Sequence, residues 1–182
     1  PLRFTILASY YQPLIVGVSN QRNNLVVMEQ VVRIQKYLEV QLPKGLDLTA
    51  EINLEYCDEF PVISSWKNGE IFFGLSADDQ PGNYTHDEYW ESMHDCLKSQ
   101  SDTDELETIE EGEYITHYDI PMSFRIYSYY VDGVENIYNF HLISSEKIAY
   151  WFISPCEDRN DIPEMQSQLF DILKTARITF YN

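Results

Sequence analysis

Basic side chains are scarce in this chain. Twelve Lys and Arg stand against thirty Asp and Glu in 182 residues, leaving a formal charge of −18. A field of that sign repels nucleic acid and anionic membrane surfaces and favours a cationic partner through electrostatic steering. Glycine is rare too, seven in all. The glycines never cluster, so no phosphate-cradling loop is indicated. Cysteine is limited to Cys57, Cys96 and Cys156, widely spaced and without a Cys-x-x-Cys pair. Neither a disulfide framework nor a zinc site follows, and reduced core thiols are expected. The longest apolar run near the N-terminus, Leu14 to Val18, is far too short to span a bilayer, so no membrane insertion is expected in this chain. The expected compartment is the cytoplasm, with export as the alternative if a signal segment was removed before Pro1.

What is present points to a folded domain. Apolar residues make up 44% of the chain, enough to bury a real core, and the length suits a single domain over 1–182. The acid is unevenly spread. Fourteen of the thirty carboxylates lie between Asp78 and Asp119, where Lys98 is the one Lys or Arg. Within that stretch, residues 100–112 read as a flexible acidic loop. Tyrosine outnumbers Phe and Trp, which leans the composition towards sheet.

Turn chemistry and caps set out the elements. Asn68-Gly69 between Val62–Ser65 and Ile71–Leu75, and Asp132-Gly133 between Phe124–Val131 and Val134–Ile143, predict two β-hairpins. Lys147–Ile153 adds a third strand to the second hairpin, giving an antiparallel meander. Thr85-His86-Asp87-Glu88 has the pattern of a capping box, and Tyr89, Trp90, Met93, Cys96 and Leu97 follow at helical spacing. A second helix is predicted over Asp161–Ala176, with Asp161 and Glu164 as its cap and Pro163 in the first turn. Ile178 to Tyr181 reads as a closing strand. Val26 to Leu42 fits strand better than helix because of its β-branched residues, and Leu42-Pro43-Lys44-Gly45 ends it in a turn. The fold class is therefore α+β: a mainly antiparallel sheet of six or more strands packed with two principal helices.

Three runs carry a resemblance to a known superfamily. Tyr37-Leu38-Glu39-Val40-Gln41-Leu42-Pro43-Lys44-Gly45, Ala149-Tyr150-Trp151-Phe152-Ile153 and Phe170-Asp171-Ile172-Leu173-Lys174-Thr175-Ala176-Arg177-Ile178, in this order of elements, resemble the PsbP-like α/β/α sandwiches. The resemblance covers roughly residues 37 to 181. It implies that sandwich architecture and a non-catalytic binding role, since the superfamily includes a nuclear GTPase-binding protein, photosystem subunits, bacterial lipoproteins and adaptors of contact-dependent secretion systems. No functional residue of that superfamily is matched, and the segment before residue 37 and the acidic stretch depart from it.

Candidate chemistry is thin. Glu91-x-x-His94 places two ligands on one helical turn but occurs once, where a di-iron bundle needs it twice. Asp102-x-Asp104 begins like a calcium loop, yet Glu107 stands where that loop turns on glycine. His117 and His141 fall in predicted strands without a named nucleophile, so both are expected to be structural. No catalytic, metal or cofactor residue is assigned. The expected function is non-enzymatic binding of a cationic protein partner, as in a toxin-neutralising immunity protein or a secretion adaptor. The alternative is an exported or lipid-anchored small-ligand-binding domain. The candidate contact residues are Asp102, Asp104, Glu105, Glu107, Glu110, Glu111 and Glu113 on the acidic stretch. Arg125, Tyr127 and Tyr129 join them, sharing one strand parity that is expected to face solvent.

Overall fold

The computed structural model describes residues 30–34, 37–42, 47–49, 64–67, 72–78, 81–102 and 105–179. In chain order the elements are β1 (Gln30–Ile34), β2 (Leu38–Leu42), β3 (Asp47–Thr49), β4 (Ser64–Lys67), β5 (Phe72–Ala77) and α1 (His86–Gln100). Then come β6 (Leu106–Ile115), β7 (Pro121–Val131), β8 (Val134–Ser145), β9 (Ile148–Cys156), α2 (Ile162–Leu173) and β10 (Arg177–Ile178). Seven strands form one sheet in the order β3-β4-β5-β9-β8-β7-β6, and β1-β2-β10 form a second. Every described strand pairing is antiparallel.

Two helices sandwich the larger sheet, and strand parity decides which side chain meets which. On one face α1 buries Tyr89, Trp90, Met93 and Leu97 against Tyr127, Tyr129, Phe140, Leu142, Trp151 and Ile153. On the other, α2 places Leu169, Ile172 and Leu173 among Leu75, Phe152 and Ile143, where β2 adds Leu38, Val40 and Leu42. β9 is central and covered on both sides, so Ile148 to Ile153 is buried at every position. That is why its sequence is an unbroken apolar run rather than an alternation.

Local signals are realised in atomic detail. Thr85 Oγ1 accepts from the Glu88 amide at 3.3 Å, and Glu88 accepts from the Thr85 amide at 2.6 Å, so the capping box closes. Asp132 and Gly133 take φ of 52° and 75°, the left-handed pair that a tight two-residue hairpin turn requires. The Val26–Leu42 stretch contains the β1–β2 hairpin. The Asn68-Gly69 turn itself lies outside the described residues, but Lys67 pairs with Phe72 across it.

Four expectations are corrected. Residues 106–112 are not a loop: they belong to β6, paired with β7 along its length with one bulge between Thr108 and Glu110. Asp161 does not cap α2. Its backbone is already helical, with φ −88° and ψ −10°, whereas a capping side chain needs an extended backbone to fold over the next amides. Asp158 has that geometry and accepts from the Asn160 amide at 2.8 Å, starting a 3₁₀ turn over Arg159–Asp161 that runs into α2. His117 sits in the β6–β7 turn rather than in a strand, its amide donating to the Lys174 carbonyl at 2.8 Å. Cys96 is disulfide-bonded rather than reduced, while Cys156 is free.

Candidate functional site

A cleft of about 330 Å³ opens where the first turns of α1 meet the outer strands β6 and β7. Its walls are His86, Asp87 and Trp90 from α1, Glu111, Gly112 and Glu113 from β6, and Ser123 and Arg125 from β7. The capping box fixes the start of α1, and with it His86 and Trp90, one turn apart on the same helix face. Cross-strand register does the rest. Glu111 faces Arg125, and Glu113 faces Ser123, so alternate residues of both strands point into the same space.

A hydrogen-bonded hub lines the floor. Trp90 Nε1 donates to Ser123 Oγ at 2.8 Å, Ser123 Oγ lies 2.7 Å from His86 Nε2, and His86 Nδ1 lies 2.7 Å from Ser144 Oγ. The set is satisfied when Ser123 gives its proton to Nε2 and His86 carries its own on Nδ1 for Ser144, which is the neutral imidazole. Burial holds the His86 imidazole below its ordinary value, against the pull of Asp87 and Glu113. The hub thus ties α1 to β7 and β8 through an uncharged ring.

Above it Arg125 is held on two sides. Its Nε lies 3.0 Å from Glu111, and the guanidinium carbon stands 4.8 Å from the centre of the Trp90 ring. A guanidinium between a carboxylate and an indole face is a favourable arrangement. With His86 neutral, Asp87, Glu111 and Glu113 outweigh the one charged cation, Arg125, among the lining residues. The cleft is acidic. Among the described residues no three His, Cys, Asp or Glu side chains converge on a metal position, and no helix is long and apolar enough to cross a membrane.

No protein-family model matches the chain, and no curated protein matches it. Solved structures do. The cyanobacterial PsbP of Synechocystis superposes with a TM-score of 0.60 at 9% identity, over 89% of this chain and 99% of its own. The chain has a PsbP-like fold. A Pseudomonas aeruginosa protein of unknown function matches with a TM-score of 0.46 at 11% identity, over 79% of this chain and 92% of its own. The PsbP-like likeness extends to the fold and carries no site residue across.

Within this PsbP-like frame the expected contact residues are sorted by strand parity. Glu111 and Glu113 reach the cleft together with Arg125. Glu107 leaves by the opposite face, where Arg159 grips it at 2.6 Å and also holds Glu135 at 2.6 Å. Those bonds to Arg159 keep both carboxyl groups below the usual range. Glu105 and Glu110 are exposed. Asp102 is exposed at the turn end of the β7–β8 hairpin, its carboxylate 3.4 Å from the Gly133 amide. Asp104 lies outside the described residues. Tyr127 and Tyr129 do share the parity of Arg125, but α1 covers that face and leaves them 0% and 2% exposed. They are core residues, closed to a partner by α1. The sequence reading missed His86, Asp87, Trp90, Ser123 and Ser144. The His86–Trp90 spacing inside a capped helix was their one visible signal.

Proposed function

We propose that this protein is a non-enzymatic binding module for a cationic protein partner, engaged along β6 and its adjoining cleft. The observation that carries this is the placement of the acid. β6 is the last strand of the seven-stranded sheet and presents exposed Glu107, Glu110, Glu111 and Glu113, while Asp87, Glu111 and Glu113 converge on a concave site beside it. Charge on an edge strand also discourages pairing with another chain, which favours recognition through side chains over strand addition. A toxin-neutralising immunity protein and a secretion adaptor are the two forms of this reading that need such a surface. Affinity purification from native cells at low ionic strength identifies the partner, and association kinetics with it then test the site. Glu110→Lys with Glu113→Lys should lower the on-rate roughly tenfold at low salt and flatten its salt dependence. Glu111 is retained in that variant because it anchors Arg125. An on-rate that does not move sinks this reading.

One observation favours a second reading of the compartment. The disulfide at Cys96 suits an oxidising environment rather than the cytoplasm, which supports the exported form. The protein purified under acid quench and alkylated in denaturant without reductant should carry the label on Cys156 and none on Cys96. Full alkylation of Cys96 returns the protein to a reducing compartment.

A further inference from the structure

The seam between β8 and α2 holds buried polar atoms that the protein itself does not satisfy. Ile137, Asn139, His141 and Ile143 follow one another along the α2-facing side of β8. Both amide atoms of Asn139, Nε2 of His141 and Nε2 of Gln166 on α2 are buried with no hydrogen-bond partner. The large majority of buried side-chain polar atoms are paired, because an unpaired one loses its hydration and gains nothing. Such a group of orphans on facing elements points to a bridging molecule.

The elements bring these atoms to one place. Ile162, at the start of α2, packs in the cluster of Ile126 and Ile137. Phe170, two turns further on, sets its ring edge-on to His141 at 5.5 Å. Eight helical residues advance about 12 Å, and the four strand residues from Ile137 to His141 advance about 13 Å. The helix and strand therefore keep pace. Gln166, midway between Ile162 and Phe170, stands over Asn139, midway between Ile137 and His141. Asn139 supplies donors and an acceptor, Gln166 supplies donors, and the free His141 nitrogen faces the same layer.

We infer that ordered water is built into this seam, bridging the Asn139 carboxamide to Gln166 and His141. The occupant must both donate and accept, because the orphan set contains both kinds of atom. It must be neutral, since Ile126, Ile137, Ile162 and Phe170 line this layer and a charge among apolar side chains would lose its hydration. It must be small, because the helix and sheet side chains on either side are already in contact. A buried water making about three hydrogen bonds meets all of these conditions.

Solution NMR tests the inference directly. Magnetisation transfer should give cross-peaks from long-lived water to the side-chain amides of both Asn139 and Gln166, and their absence overturns it. Thermal melting of the near-isosteric Asn139→Leu supplies a readout of sign. A bridged seam loses its central partner and Tm falls by a few degrees, whereas a dry seam sheds two unsatisfied atoms and Tm rises. Native mass spectrometry of the desalted protein should return the polypeptide without an added organic mass. A retained adduct that Asn139→Leu removes would give the seam to a metabolite instead.

Discussion

Replacing Trp90 by alanine should cost about 3–5 kcal/mol of folding stability, the range of buried tryptophan truncations. A domain of this size has only about 5–15 kcal/mol to lose. Three separate interactions end at this indole. Its ring packs edge-on against Trp151 at 4.8 Å and 88°, its N–H is taken by Ser123, and its face carries the Arg125 guanidinium. Trp90 is 2% exposed, so alanine leaves a cavity between α1 and the sheet as well as an undersupplied Ser123–His86 hub. Trp90→Phe separates the terms. It retains most of the packing and the cation–π contact and loses the donor, so it should cost about 1–3 kcal/mol. Urea titrations followed by far-UV circular dichroism give both values. A Trp90→Ala midpoint within error of the wild type would show that α1 is not held down through this residue.

Where the chemistry is local, the fold was readable from the residues. The Thr85–Glu88 box, the Asp132-Gly133 turn and the β7–β8–β9 meander each depend on neighbours in sequence, and each forms as expected. β6 was hidden for a physical reason. An edge strand with glutamates leaving by both faces buries too little to show an alternation, so composition alone makes it look like a solvated loop. The parity of Arg125, Tyr127 and Tyr129 was legible, but their exposure was not. Period two places residues on a common face and says nothing about whether a helix covers it. The cleft is less legible still. Its hub joins His86 to residues 37 and 58 positions away, and such a meeting is created by topology. Neither Ser123 nor Ser144 carries a signature that would mark it in advance.

Acid should destabilise the protein well before its carboxylates titrate, and His141 should be the main cause. The ring is fully buried, touching Phe124, Phe170 and Tyr114, with Nδ1 lying 2.9 Å from the Tyr114 hydroxyl. Burial pushes its pKa down from 6.5 to about 3, and burial also raises that of the Tyr114 phenol, so both groups are neutral in the folded state. The unfolded chain takes up a proton on His141 below pH 6.5 while the folded chain does not. Stability from this residue is therefore complete above pH 6.5 and falls with pH, by about 1.36 kcal/mol per unit, until the folded ring itself titrates near 3. His86 acts in the same direction, its pKa also lowered chiefly by burial. The depressed carboxyl groups of Glu88, Glu107 and Glu135 keep their stabilising contribution above the unfolded value of 4.5 and lose it only below, so the slope between pH 6.5 and 4.5 reports chiefly on the histidines. Urea midpoints measured across that window should slope steeply in the wild type and visibly less in His141→Gln, whatever the variant's absolute stability. Parallel slopes would place the proton uptake elsewhere, because a group that titrates alike in the folded and unfolded chains cannot tilt the curve.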